Sequence, residues 1–354
     1  MKRSILAAVL LGALPAASHA QGSVTLYGLA DVGFLYTSKT VNAAGQNAGR
    51  TLAVADSGLS PSLFGLTGTE DLGNGLQAKF KLESGFNVAN GGFNDSNGNF
   101  FGRQAWVALS GNVGEIKAGL QFSPFILALL DSDPRAFAEF GDIQVIYGDN
   151  VVLTGVFNSN AVSYTSPKFG GLEGSVMLAL GGEAGNFRAG RQYSASLKYD
   201  DGTLMVNAAF YEGNSGGAVS TPVPTTVEFE GRTLGAAYRF GSLTAKATFV
   251  NYKVAGSFNT NVYGGGLDYL VLPQLYLDGG VWVTSDRNNT KNHSLLTAVS
   301  AEYFLSKRTT LYAQIGVANN HGATNTGLSV SYFNILNEVS GTTVGVNIGV
   351  RHVF

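Results

Sequence analysis

Val24-Thr25-Leu26-Tyr27-Gly28-Leu29-Ala30-Asp31-Val32-Gly33-Phe34-Leu35-Tyr36-Thr37 is the stretch that decides the fold class. Its even positions are all apolar or small, whereas Thr25, Tyr27, Asp31 and Thr37 fall on odd ones. Successive side chains of a strand point to opposite faces, so a period of two with one apolar face marks a strand covered on one side only. The pattern returns where Leu76, Ala78, Phe80 and Leu82 oppose Gln77, Lys79, Lys81 and Glu83. It returns again in 115–121, 193–199, 204–210 and 275–283. In the last stretch Val344, Val346, Ile348 and Val350 oppose Thr343, Gly345, Asn347 and Arg351. Helical spacing fits none of these segments.

The connections alternate between short and long. Leu72-Gly73-Asn74-Gly75, Gly111-Asn112-Val113-Gly114, Asp200-Asp201-Gly202, Gly241-Ser242, Leu272-Pro273-Gln274 and Leu305-Ser306-Lys307 read as tight turns. Longer stretches at 38–57, 89–99, 123–158, 182–190, 213–230 and 319–341 separate them. Counting strands between these breaks gives about sixteen, each with roughly 21 residues including its connection, as the tilted strands of an outer-membrane barrel require. A soluble sandwich also alternates, but it carries a full quota of charge on its outer face. Here Asp, Glu, Lys and Arg make up 13% of the chain, against roughly 25% in ordinary soluble domains. Strand ends are aromatic, as at Tyr238 and Phe240, Phe249 and Tyr252, or Tyr303 and Phe304. Such girdles suit the two membrane interfaces. A closed barrel is also the sheet that leaves no backbone group unpaired in lipid. The expectation is an all-β, 16-stranded antiparallel transmembrane barrel.

Composition narrows the function. The chain has 354 residues, 48 Gly and no Cys, which excludes disulfide frameworks, thiolate metal sites and cysteine nucleophiles. A net charge of −2 leaves no electrostatic footprint for nucleic acid. Met1-Lys2-Arg3, the apolar run Ile5–Leu14 and Ser18-His19-Ala20 have the order of a secretory leader with cleavage after Ala20. A single barrel domain over 21–354 is then expected to carry 20 basic and 24 acidic side chains.

Several segments carry a family resemblance. Val24–Asp31 resembles the opening strand of the beta-proteobacterial general porins. So do Gly68-Thr69-Glu70-Asp71-Leu72-Gly73-Asn74-Gly75-Leu76, Leu82-Glu83-Ser84-Gly85-Phe86, Arg103-Gln104-Ala105-Trp106-Val107, Asn160–Pro167, Leu305-Ser306-Lys307-Arg308-Thr309 and Gly349–Phe354. The resemblance implies a passive channel, without cofactor, metal or catalysis, in a Gram-negative outer membrane. It implies a homotrimer among lipid and lipopolysaccharide, delivered by periplasmic chaperones to the barrel-assembly machinery, which would read Phe354 as its signal. It also implies a third long loop, here about Phe122–Val156, folded into the lumen to narrow it. This chain departs from the family at Leu63, Thr67, Leu120 and Phe157, where members commonly carry basic residues, and strong anion preference is therefore not expected.

Alternation and the inserted loop together nominate the lining of that channel: Lys79, Lys81, Glu83 and Lys117 on the wall, and Asp131, Asp133, Arg135 and Glu139 on the loop. Alternation groups Arg103 with Phe101, Ala105 and Val107, so a bulge or a rim position is needed to turn it inward. The wall charges nearly cancel, while the loop's Asp131, Asp133, Glu139, Asp142 and Asp149 face Arg135 alone. Near-neutrality or weak cation preference follows. Two other classes compete: an adhesin or receptor acting through its loops, and a barrel hydrolase. The latter is disfavoured because His293 and Ser294, as strand neighbours, point to opposite faces. Gly213-Asn214-Ser215-Gly216-Gly217 looks like a protease nucleophile stretch but lacks a His–Asp pair in the required order. Asn94–Asn99 lacks the closing Glu of a calcium loop, and Gly264-Gly265-Gly266 reads as close strand packing or a kink.

Overall fold

The computed structural model describes residues 23–151, 155–214, 228–254, 256, 258–330 and 337–354. The expected leader and Ser215-Gly216-Gly217 lie outside them. The strands are β1 (Ser23–Thr37), β2 (Thr51–Asp56), β3 (Leu63–Gly73), β4 (Leu76–Gly85), β5 (Gln104–Gly111) and β6 (Gly114–Gln121). Two helices follow, α1 (Pro124–Ser132) and α2 (Ile143–Val151). Then come β7 (Asn158–Thr165), β8 (Leu172–Ala179), β9 (Gln192–Asp200), β10 (Leu204–Gly213), β11 (Phe229–Phe240) and β12 (Leu243–Val254). The chain ends with β13 (Asn259–Leu272), β14 (Leu275–Asp286), β15 (His293–Phe304), β16 (Thr309–His321) and β17 (Gly341–Val353).

From β3 onward each strand pairs antiparallel with the next in sequence, and β17 returns to β1 in the register Leu29↔Val353 to Thr37↔Gly345. The sheet is closed. Both β2 and β3 pair with β1, Thr37↔Thr51 to Val32↔Asp56 and then Leu29↔Leu63 to Ser23↔Thr69. They are two halves of one interrupted stave, so the seventeen segments form sixteen staves.

Inside the barrel Phe125, Leu129, Phe140 and Tyr147 pack with wall residues such as Tyr252 and Trp282 in a buried apolar cluster, but the polarity of the wall itself is inverted relative to a soluble protein. Outward positions are exposed and apolar, as at Leu26, Phe34 (66% exposed), Val107, Ile116, Leu234 and Ile348. A continuous belt of this kind is unstable in water and suits hydrocarbon. Inward positions bury polar side chains, among them Asp31, Asn207, Thr248, Asp278, Gln314 and Asn347.

The break between β2 and β3 is organised by one carboxylate. At 57–62 the backbone leaves the ladder, with Ser57 at φ 62°, and its N–H groups need other acceptors. Asp31 accepts from the amides of Gly58 at 3.2 Å, Leu59 at 2.9 Å and Ser60 at 2.9 Å, and from the Tyr312 hydroxyl at 2.6 Å. A Cβ on Gly58 would overlap that hydroxyl. Hydrogen bonds to a charged acceptor contribute about 1.5–3 kcal/mol each. Asp31→Ala, which orphans three amides, is therefore expected to lower by many degrees the temperature at which the folded barrel loses its compact gel mobility. Asp31→Asn should fall between it and the parent. An unchanged transition would mean that water replaces the carboxylate at no cost.

Candidate functional site

The connection from β6 to β7, residues 122–157, is called L3. Pro124 opens α1, whose N-cap Ser123 accepts from the Ile126 amide at 3.3 Å and donates to the Gly155 carbonyl at 2.6 Å. That bond ties the two ends of L3 together. α1 lies against the inner faces of β9–β12. Asn207 donates to the Ala128 carbonyl at 2.8 Å, and the Ser132 and Thr248 hydroxyls are 3.3 Å apart. Glycines on the inner wall make the approach possible. A Cβ on Gly231 would strike the Phe125 ring and one on Gly235 the Ser132 side chain, while one on Gly266 or Gly280 would crowd the Gly279 carbonyl or the Trp282 ring and come within 3.0 Å of the Pro134 ring. Further round, Phe140 covers Gly316 and Gly345. Of the triplet 264–266, Gly266 belongs to the groove that receives L3, Gly264 makes room for Trp282 on the neighbouring strand, and Gly265 lies against the Lys246 carbonyl.

Arg135 fastens the middle of the loop. Its Nε lies 2.6 Å from Asp278 Oδ1 on β14, and its Nη atoms donate to Gln314 on β16 and to the carbonyls of Phe140 and Gly141. The following residues bond to the last loop, 322–340: Gly141 N donates to Leu328 O at 2.8 Å, and Val330 N to Glu139 O at 3.0 Å.

On β4–β6, facing the loop, charged groups are paired. Lys79 reaches Glu115 at 3.2 Å, Lys117 reaches the same carboxylate at 3.5 Å, and Lys81 reaches Glu83 at 3.0 Å. Lys117 also lies over the Trp106 ring. Arg103 immediately precedes β5, so strand alternation does not govern it. Its side chain turns inward, with Nε 3.0 Å from Glu83, Nη1 on Asp95, and the rings of Phe122 and Phe157 about its guanidinium. Asp95, from the calcium-like stretch, is thereby a partner of Arg103.

The loop's charges are less free than a tally suggests. Asp131 pairs with Lys198 at 3.1 Å. Asp133, Arg135, Glu139 and Asp142 are buried. Burial pushes the Asp133 carboxyl up to about 6 although the amides of Arg135 and Phe137 donate to it. It pushes Glu139 up to about 7 and raises Asp142 as well. Glu139 accepts from Gln144 and lies in the fields of Arg103, Asp56, Asp31 and Asp142. Packed L3 thus holds the Glu139 proton more tightly than a free carboxyl does. That contribution to packing is complete below the ordinary value of 4.5 and is lost as pH rises through about 7. Raising pH from 5 to 8 adds negative charge to L3, at Asp133 and at Glu139. The reversal potential in a salt gradient is expected to move toward cations over that range, and Glu139→Gln should reduce the change and remove its part near pH 7, leaving the part carried by Asp133.

A family model described as Gram-negative porin matches residues 7–323. This chain is a Gram-negative porin. The porin is 30% identical to outer membrane porin protein 32 of Delftia acidovorans, with all of both chains covered. It is likewise 30% identical, over all of both chains, to an outer membrane porin protein of Bordetella pertussis. Among solved structures, an anion-selective porin from Comamonas acidovorans superposes with a TM-score of 0.80 at 28% identity, covering 94% of this chain and all of the other. OmpT of Vibrio cholerae, described in a trimer form, shares the fold at 14% identity and a TM-score of 0.66, covering 94% of this chain and 99% of the other. The porin is a passive outer-membrane channel, not an enzyme. His293 fits that reading: its ring stacks on His321 at 4.6 Å, while Ser294 is buried against Thr326 at 2.8 Å.

Proposed function

We propose that the channel passes small hydrophilic solutes and ions through a gap between L3 and the wall of β4–β6, with near-neutral or weakly cation-selective behaviour. One observation carries the selectivity. Each of the seven basic side chains that alternation aims at the lumen has a carboxylate within 3.9 Å: Lys79, Lys81, Lys117, Lys198, Arg239, Lys246 and Arg351. A paired wall presents little net field to a passing ion. L3 retains an acidic excess, tempered by the protonation that burial enforces. The anion selectivity named for the Comamonas porin would need unpaired basic groups at the narrow region, and Phe157 there is an aromatic residue packed on Arg103.

The working unit is a homotrimer in the outer membrane among lipopolysaccharide. It is exported by the leader 1–20 as a single domain, 21–354, and delivered by periplasmic chaperones to the assembly machinery. Refolded protein in a planar bilayer is expected to give ohmic steps in threes and a reversal potential at zero or on the cation side. A clear anion-selective value would overturn the selectivity. Absence of steps would favour a receptor or adhesin acting through its loops.

A further inference from the structure

Beside the narrow region L3 leaves an apolar surface that ion passage does not require. The wall-facing side of α1 is buried, but Leu127 and Leu130 on its other side are 43% and 38% exposed. They open onto a cavity of about 190 Å³ that Phe122, Phe137, Pro61 and Val330 also line. Its size suits one ring with a short chain, smaller than the roughly 300–1,000 Å³ of drug-sized pockets. Apolar lining with a few convergent charged groups is the signature of a ligand subsite rather than of a water path.

The charged rim selects the sign of the occupant. Arg103, Asp95 and Glu139 reach the cavity. Arg103 is already engaged by two carboxylates, Glu83 at 3.0 Å and Asp95, and is enclosed by two rings, which leaves little of its field for an anion. Lys81 is held by Glu83. Counting these groups with Glu139, which carries its charge above about pH 7, three carboxylates oppose two cations. Asp31 lies behind, bound to the amides of Leu59 and Ser60, two further residues at the cavity.

We propose that this cavity is a subsite for small amphipathic amines, which seat an apolar body on Leu127 and Leu130 and direct an ammonium group to Glu139 and Asp95. The proposal deepens the channel reading and rests on it. Such solutes would dwell at the narrow region and interrupt the ion current as they pass.

The test records single channels in KCl at pH 8, where Glu139 is ionised, which establishes conduction in each bilayer before any amine is added and so separates failure of the subsite from failure of the channel. Phenethylammonium is expected to interrupt the current at concentrations where ethylammonium and 3-phenylpropionate do not. Leu127→Asn with Leu130→Asn should raise the blocking concentration of phenethylammonium by about tenfold or more, since burying one such side chain is worth about 1.5–3 kcal/mol. Gel mobility of the same preparation reports whether the double variant is folded, and Leu130→Asn alone serves if it is not. Equal block by ethylammonium would overturn the apolar subsite, and equal or stronger block by 3-phenylpropionate would overturn its charge preference. The comparison of the three probes on the parent protein decides the matter without any variant.

Discussion

Replacing Arg135 with Ala is expected to turn a steady open-channel current into one that flickers between levels, with a higher mean conductance. Arg135 joins the middle of L3 to two wall strands through Asp278 and Gln314, 143 and 179 residues away in sequence, and satisfies two carbonyls of its own loop. Its side chain is fully buried. Removing one partner of such a pair costs about 3–5 kcal/mol, because the other charge stays behind unpaired. Of the anchors that remain, Pro134 and Phe140 in the glycine groove and the Ser132–Thr248 and Asn207–Ala128 contacts lack charge, and the Asp131–Lys198 pair and the Lys246 bond to the Asp133 carbonyl hold a different stretch of L3 from Arg135's Phe140–Gly141 end. L3 should then leave the wall often enough to be seen in single-channel records. Arg135→Lys keeps the charge but loses the planar fork that serves β14, β16 and the loop together, so it should lie between. Unchanged noise and conductance in Arg135→Ala would show that packing alone holds the loop.

Deleting Phe354 is expected to remove most of the folded protein from outer membranes. Phe354 exchanges two backbone hydrogen bonds with Gly28, at 2.9 and 3.1 Å, and its ring covers that glycine. These are the last bonds of the seam that closes β17 on β1, worth about 1 kcal/mol each net. The residue is also the one that assembly factors are proposed to read. Phe354→Tyr keeps an aromatic terminus and should restore assembly, whereas Phe354→Ala should not. Undiminished heat-resistant barrel after the deletion would remove both roles.

The barrel was legible because lipid enforces alternation. In β1, Val24, Leu26, Phe34 and Tyr36 are outward and exposed, as the pattern of Val24–Thr37 required, and the expected loop 122–156 ends within one residue of β7. The interruption at 57–62 was not legible. It depends on Asp31 and Tyr312, which meet across 281 residues of sequence, and no local rule connects them. The orientation of Arg103 lies beyond the reach of alternation, because the residue stands one position before β5. The loop's charges were readable as residues but not as fields. Whether Asp133 or Glu139 acts as a full charge depends on burial against a wall that only the closed barrel supplies.

The glycine groove has a bearing on how the aperture can be adjusted. The groove owes its depth to carbon atoms that are missing. Each carbon restored beneath Phe140, at Gly316 or Gly345, would lift that section of L3 by roughly one bond length, ~1.5 Å, leaving the outer apolar belt untouched. The molecular-weight cut-off of such a sieve is uncoupled from its circumference. Cells could recalibrate what the membrane admits by single substitutions on the inner wall, keeping the same sixteen staves and the same fit to lipid.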